Sequence, residues 1–137
     1  RDRLRSRGLG DVYKRQSSFF RTFTFLLKQR QMNRVLWQQY GLSEINGKRI
    51  MDVFSRFSEV QEAVLFGSRA KGNYRQGSDI DIAVKGTVSK DVLSALLVAF
   101  DETVLPYFVD IVVYDHIKNI ALKEHIDRVG ICIYSAL

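Results

Sequence analysis

The run Tyr107 to Tyr114 (YFVDIVVY) is β-branched and aromatic, the composition of a central strand, yet a carboxylate, Asp110, stands in its middle. A charge between Val109 and Ile111 is costly to bury without a partner. A fold that uses this run as a strand must therefore leave Asp110 at a rim or supply it with a cation. A second run makes the same demand. Ile80 to Val84 reads as a strand in which Asp79 and Asp81 alternate against Ile80 and Ile82. Residues two apart on a strand point to the same face, about 7 Å apart at the backbone. Setting the two runs side by side brings three carboxylates to one rim, where they repel one another unless a cation joins them.

The remaining elements follow from periodicity. From Ser43 to Ser58 the apolar residues Ile45, Ile50, Val53, Phe54 and Phe57 recur at roughly helical spacing, with Gly47 a weak point in the first turn. Ala63 to Phe66 (AVLF) is a short apolar run that stops at Gly67-Ser68, the pattern of a buried strand. Gly72, Asn73 and Gly77 mark a loop. Ser89 fits an N-cap, and Asp91 the first turn, of an amphipathic helix through Val92, Leu93, Leu96, Leu97, Ala99 and Phe100 that ends near Glu102. Ile117 to Val129 reads as a helix with a poorly defined apolar face, stopped by Gly130, and Ile131 to Tyr134 as a closing strand. This order predicts an α/β (α+β) fold, a small mixed β-sheet packed with helices.

Gly67-Ser68 adds a second kind of chemistry. Glycine lets a phosphate approach the backbone closely, while the serine hydroxyl and the following amides can donate to it. If Arg69 to Lys71 opens a short helix, its N-terminus favours an anion, and Arg69 and Lys71 bring positive charge to the same place. Each piece alone has a plainer reading: an ordinary turn at Gly67-Ser68, a solvated face at Asp79-x-Asp81, a strand-edge acid at Asp110. Their occurrence in order, each beside a strand, favours a phosphate and divalent-metal site. Hard oxygen ligands suit Mg²⁺ or Mn²⁺, and Mg²⁺ commonly binds one or two carboxylates plus substrate phosphates.

The stretch Leu65-Phe66-Gly67-Ser68-Arg69-Ala70-Lys71-Gly72, followed by Gly77-Ser78-Asp79-Ile80-Asp81-Ile82, resembles the signature of the minimal nucleotidyltransferases of the polymerase-beta-type superfamily. Phe108-Val109-Asp110-Ile111-Val112 matches the setting of that family's third carboxylate. The resemblance covers about residues 43–135 and implies a nucleotidyltransferase (polymerase-beta-like) fold. It implies catalytic and metal-binding roles for Asp79, Asp81 and Asp110, with Mg²⁺ (or Mn²⁺) as the ion. It also implies a nucleoside triphosphate, ATP foremost, held at Gly67, Ser68, Arg69 and Lys71. Small proteins of this kind pair with HEPN-domain toxins, and some silence them by adding AMP to a tyrosine. The acceptor expected from the resemblance is therefore a partner protein, and the chain an antitoxin. A small-molecule (aminoglycoside-like) acceptor and a non-catalytic antitoxin remain as alternatives.

The net charge of +6 invites a nucleic-acid reading, so its location decides. Residues 1–16 hold six basic and two acidic side chains, whereas residues 32–137 hold 12 basic and 13 acidic ones, a net of −1. The domain thus carries no general attraction for a polyanion, and no specific nucleic acid is expected. Residues 1–31 are read as a non-native or disordered leader and residues 32–137 as a single domain. The apolar stretch Phe19 to Leu27 is too short to span a bilayer, although a native extra helix or strand there stays open. One cysteine, Cys132, excludes an internal disulfide framework and is read as a small core residue in a cytoplasmic protein. His116 and His125 lie outside the three-part constellation and are read as surface or structural. Asp115 is read as a strand terminator on the face opposite Asp110. Tyr74 and Arg75 are read as a solvated loop, with nucleotide contact the alternative. Homo- or hetero-oligomerisation is left open.

Overall fold

The computed structural model describes residues 37–136. The expectations for residues 1–31, and for a domain start at position 32, lie outside these residues. Ser43 opens the first helix, α1 (Glu44–Ser55), by accepting the Asn46 N–H at 3.1 Å, which satisfies one of the amides a helix start leaves unpaired. Ile50, Val53 and Phe54 form its buried face, while Ile45, expected on that face, is 65% exposed. Gly47 is no weak point: the Trp37 ring lies where its Cβ would be, so the missing side chain admits an indole.

Strand β1 (Val60–Phe66) leads directly into a five-residue helix, α2 (Gly67–Lys71), and a loop returns the chain as β2 (Ile80–Gly86). Helix α3 (Lys90–Asp101) starts at the predicted cap, where the Ser89 hydroxyl accepts the Val92 N–H. It is followed by β3 (Val109–Val113), a 3₁₀ turn (Tyr114–His116), α4 (Ile120–Val129) and β4 (Ile131–Ser135). The sheet order is β3-β2-β1-β4; β1 runs antiparallel to β2 and β4, and β2 runs parallel to β3. The mixed sheet and its helices match the expected α/β architecture.

The expectation for the third strand changes as well. β3 is an edge strand among the described residues, not a central one. Its apolar composition reflects cover on both faces, not neighbours on both sides. Val109, Ile111 and Val113 join the large core with α1 and α3, and Val112 packs against the smaller cluster under α4.

Strand alternation then divides the molecule. Ala63, Leu65, Ile80, Ile82 and Val84 face α1 and α3, where Phe54 meets Phe100 edge-on with ring centroids 5.3 Å apart. The opposite face carries Val64, Phe66 and Ala83, covered by Ile126 of α4. Asp81 shares the parity of Ala83, and Asp110 that of Val112, so both acids lie on the α4 face, towards its uncovered end. Burying the core face leaves these carboxylates no other side to occupy. Among the described residues no helix is long and apolar enough to cross a membrane.

Candidate functional site

The backbone register assembles the site. Phe66 pairs with Asp81, and Asp81 pairs with Asp110, so the end of β1 and the two acids line up across three adjacent strands. Asp79 lies two residues ahead of Asp81, just before β2 begins. Asp79 and Asp110 are exposed, whereas Asp81 is half-buried between them and the turn that follows β1. Burial holds the Asp81 carboxyl above its ordinary value; the negative charges of Asp110 and Asp79 push the same way, and His125 opposes them.

Gly67 supplies that turn. Its φ of +75° belongs to the left-handed region, and a Cβ there would strike the Asp81 carboxylate at Oδ2. Only glycine allows the backbone this conformation and this approach at no steric cost. Ser68 follows on α2, half-buried, with Lys71 exposed at the far end of that helix. The Gly67 N–H donates to Nε2 of His125 at 3.3 Å. The Ser68 hydroxyl and the later first-turn amides, which no preceding helical carbonyl can satisfy, are what remains for an anion.

Arg69 is placed differently from the expectation. It is 1% exposed, and its guanidinium donates to backbone carbonyls: Nε and Nη2 to Ser78 at 3.1 and 2.7 Å, Nη1 to Tyr40 at 2.9 Å and to Gly41 at 3.4 Å. The Tyr107 and Tyr74 rings flank it, with centroids 4.5 and 5.4 Å from Cζ. A guanidinium spent in this way stitches α2 to the loop before β2 and to the segment before α1, and is not turned out to a phosphate. Gly41, at φ +73°, belongs to the same knot, because a Cβ there would meet the Tyr74 ring. Tyr74 is thus a structural contact, its hydroxyl donating to the Gln39 carbonyl at 3.4 Å, while Arg75 is exposed.

His125, expected outside the constellation, is delivered by α4 to Gly67, with its ring edge-on to Phe66 at 6.1 Å between centroids. No spacing in the sequence announces a residue 58 positions away. His116 and Asp115 are exposed in the 3₁₀ turn after β3, as a strand terminator requires. Cys132 is only half-buried, and burial, with nearby Glu62, pushes its thiol up to about 11.

Crowded carboxylates on one face are donors of the hard-oxygen type that a divalent cation would relieve of their repulsion. Among the described residues no three His, Cys, Asp or Glu side chains are drawn together tightly enough to hold a metal ion by themselves. The site therefore offers a carboxylate pair with a neighbouring third, a set that suits an ion completing its shell with water and phosphate oxygens.

Residues 48–136 match the family described as polymerase beta, nucleotidyltransferase. Among solved structures, the chain is similar to a toxin–antitoxin crystallised with AMP-PNP, at TM-score 0.56 and 23% identity over 66% of this chain and 74% of the other. It is also similar to a mutant of the toxin–antitoxin MntA–HpeT in which two aspartates two positions apart are replaced by glutamate, at TM-score 0.54 and 21% identity over the same shares. No curated protein sequence matches the chain.

Proposed function

Because the chain belongs to the polymerase beta nucleotidyltransferase family, we propose that it transfers AMP from ATP, with Mg²⁺ or Mn²⁺, to a hydroxyl of a partner protein. The acceptor in this reading is a tyrosine of a HEPN-domain toxin, which makes the chain a cytoplasmic antitoxin. The observation that carries the reading is the register Phe66–Asp81–Asp110, which sets two carboxylates side by side against the Gly67 turn. The nucleotide and the partner are supported by the similar toxin–antitoxin crystallised with AMP-PNP. We place the catalytic unit within residues 32–137, a span that contains the family match.

A bound divalent cation would neutralise charge on the triphosphate and on the attacking oxygen. Asp79, Asp81 and Asp110 are the residues that would hold it. The Ser68 hydroxyl and the amides behind it donate to phosphate oxygens, and Lys71 adds an exposed positive charge on α2. Asp110, open at the sheet edge, accepts the proton of the acceptor hydroxyl. The acceptor oxygen then bonds to the α-phosphorus as the bond to pyrophosphate breaks. Most of the rate would come from positioning and charge neutralisation.

The test is incubation of the protein with Mg²⁺, labelled ATP and its candidate toxin partner. Label on the partner, lost in Asp79→Asn and Asp81→Asn, is the expected result. Undiminished transfer by either variant overturns the assignment. Full neutralisation of the toxin by unlabelled contact, equal in wild type and variants, would instead favour the non-catalytic alternative.

A further inference from the structure

We propose that His125 is a positioning residue of the nucleotide site, acting through the backbone of Gly67; the inference rests on the nucleotidyltransferase reading above. Gly67 begins α2, so its N–H has no helical carbonyl to bond. The imidazole Nε2 accepts it at 3.3 Å. An accepting Nε2 leaves the ring proton on Nδ1. Gly67 also lies close to the Asp81 carboxylate, whose Oδ2 a Cβ there would strike. The turn is therefore held by an imidazole from α4 and approached by a carboxylate from β2.

The grip has a reason in the backbone. Glycine at positive φ gains its close approach to Asp81 at the cost of the freedom a side chain would have restricted. A turn that must hold Ser68 and its following amides still needs an outside restraint. His125 supplies one from an element anchored by packing: Ile126, its neighbour on α4, is 2% exposed and packs in the cluster of Val64, Phe66 and Ala83. The imidazole edge against Phe66, the last residue of β1, fixes the ring over the turn. His125 acts on the turn and not on the phosphate itself. It decides where the Ser68 hydroxyl and the amides after it point.

The experiment measures AMP-PNP affinity in the presence of Mg²⁺ by calorimetry, together with hydrogen exchange of the Gly67 amide by NMR, in the full chain. His125→Leu keeps the apolar contact with Phe66 but cannot accept a hydrogen bond; His125→Gln retains an acceptor. We expect His125→Leu to weaken AMP-PNP binding about fivefold to tenfold, the factor one modest hydrogen bond is worth, and to speed Gly67 exchange. His125→Gln should restore both towards wild type. Unchanged affinity and unchanged Gly67 exchange in His125→Leu overturn the proposal, as does a failure of His125→Gln to recover either. Absence of AMP-PNP binding by wild type would overturn the nucleotide reading itself. A Gly67 amide that exchanges at the same rate in wild type and His125→Leu would separately refute the imidazole grip.

Discussion

Replacing Arg69 by methionine tests whether the best-formed part of the signature binds phosphate or builds the fold. Methionine keeps most of the aliphatic length of arginine and removes the guanidinium. The Ser78 and Tyr40 carbonyls lose donors at 2.7 and 2.9 Å, and Gly41 loses a weaker one at 3.4 Å. A buried acceptor left unpaired costs about 1–3 kcal/mol, so the two strong losses come to about 2–6 kcal/mol. Removing a charge from a 1%-exposed site returns part of its desolvation cost. A net loss of about 3 kcal/mol results, which for a domain of this size lowers the melting midpoint by about 12–24 °C. Urea unfolding followed by circular dichroism measures it. Arg69→Lys should recover little, because an ammonium cannot fork to carbonyls on two segments. At a temperature where the variant is still folded, AMP-PNP affinity should stay within about threefold of wild type, well under the loss expected for removing a direct charge contact to phosphate. A stability loss under about 1 kcal/mol, or normal stability with a collapse in nucleotide affinity, would refute the structural role and restore Arg69 as a phosphate ligand.

Other outcomes follow from the same geometry. Gly67→Ala should lose at least about tenfold in AMP-PNP affinity and melt earlier, because a residue forced to positive φ costs on the order of 1–3 kcal/mol and its Cβ meets Asp81; wild-type binding would contradict the tight turn. Asp81 sits above its ordinary value, so its ionisation opposes folding: the stabilising share is full below the unfolded carboxylate range and is lost as pH rises through the raised value. Asp81→Asn should therefore melt above wild type at pH 7 in chelator, with the gap closing towards pH 4 and also on adding Mg²⁺ to wild type; scanning calorimetry reads all three. Cys132, with its thiol pushed up to about 11 from 9.0, should alkylate at pH 8 about a hundredfold more slowly than in the urea-unfolded chain, as mass spectrometry of iodoacetamide-treated protein would show. Ser89→Ala should cost about 1 kcal/mol through loss of the α3 cap, measured by urea unfolding.

The parts legible in the sequence are those encoded by local period. Strand alternation put Asp81 on one face, and Asp110 joined it once its run became the neighbouring strand; the pairing of Asp81 with Asp110 is that inference in coordinates, whereas Asp79 stands just before β2 and outside its alternation. Ser89 was readable because a cap and its amide lie three residues apart. β3 misled because an apolar run reports whether faces are covered and is silent on which strands flank it. Arg69 and His125 escaped for a further reason. Both bond to backbone groups, which every residue possesses, so their partners leave no trace in side-chain identity. Arg69 reaches Tyr40 across 29 positions, and His125 reaches Gly67 across 58. In the sequence, a basic residue after Gly-Ser looks like a phosphate ligand because local charge is the only visible cue. The fold assigns the charge of Arg69 to carbonyls and gives the turn an imidazole that no motif announced. A signature can thus set its residues in register while hiding which of them the fold spends on its own backbone, and backbone partners are where that error enters.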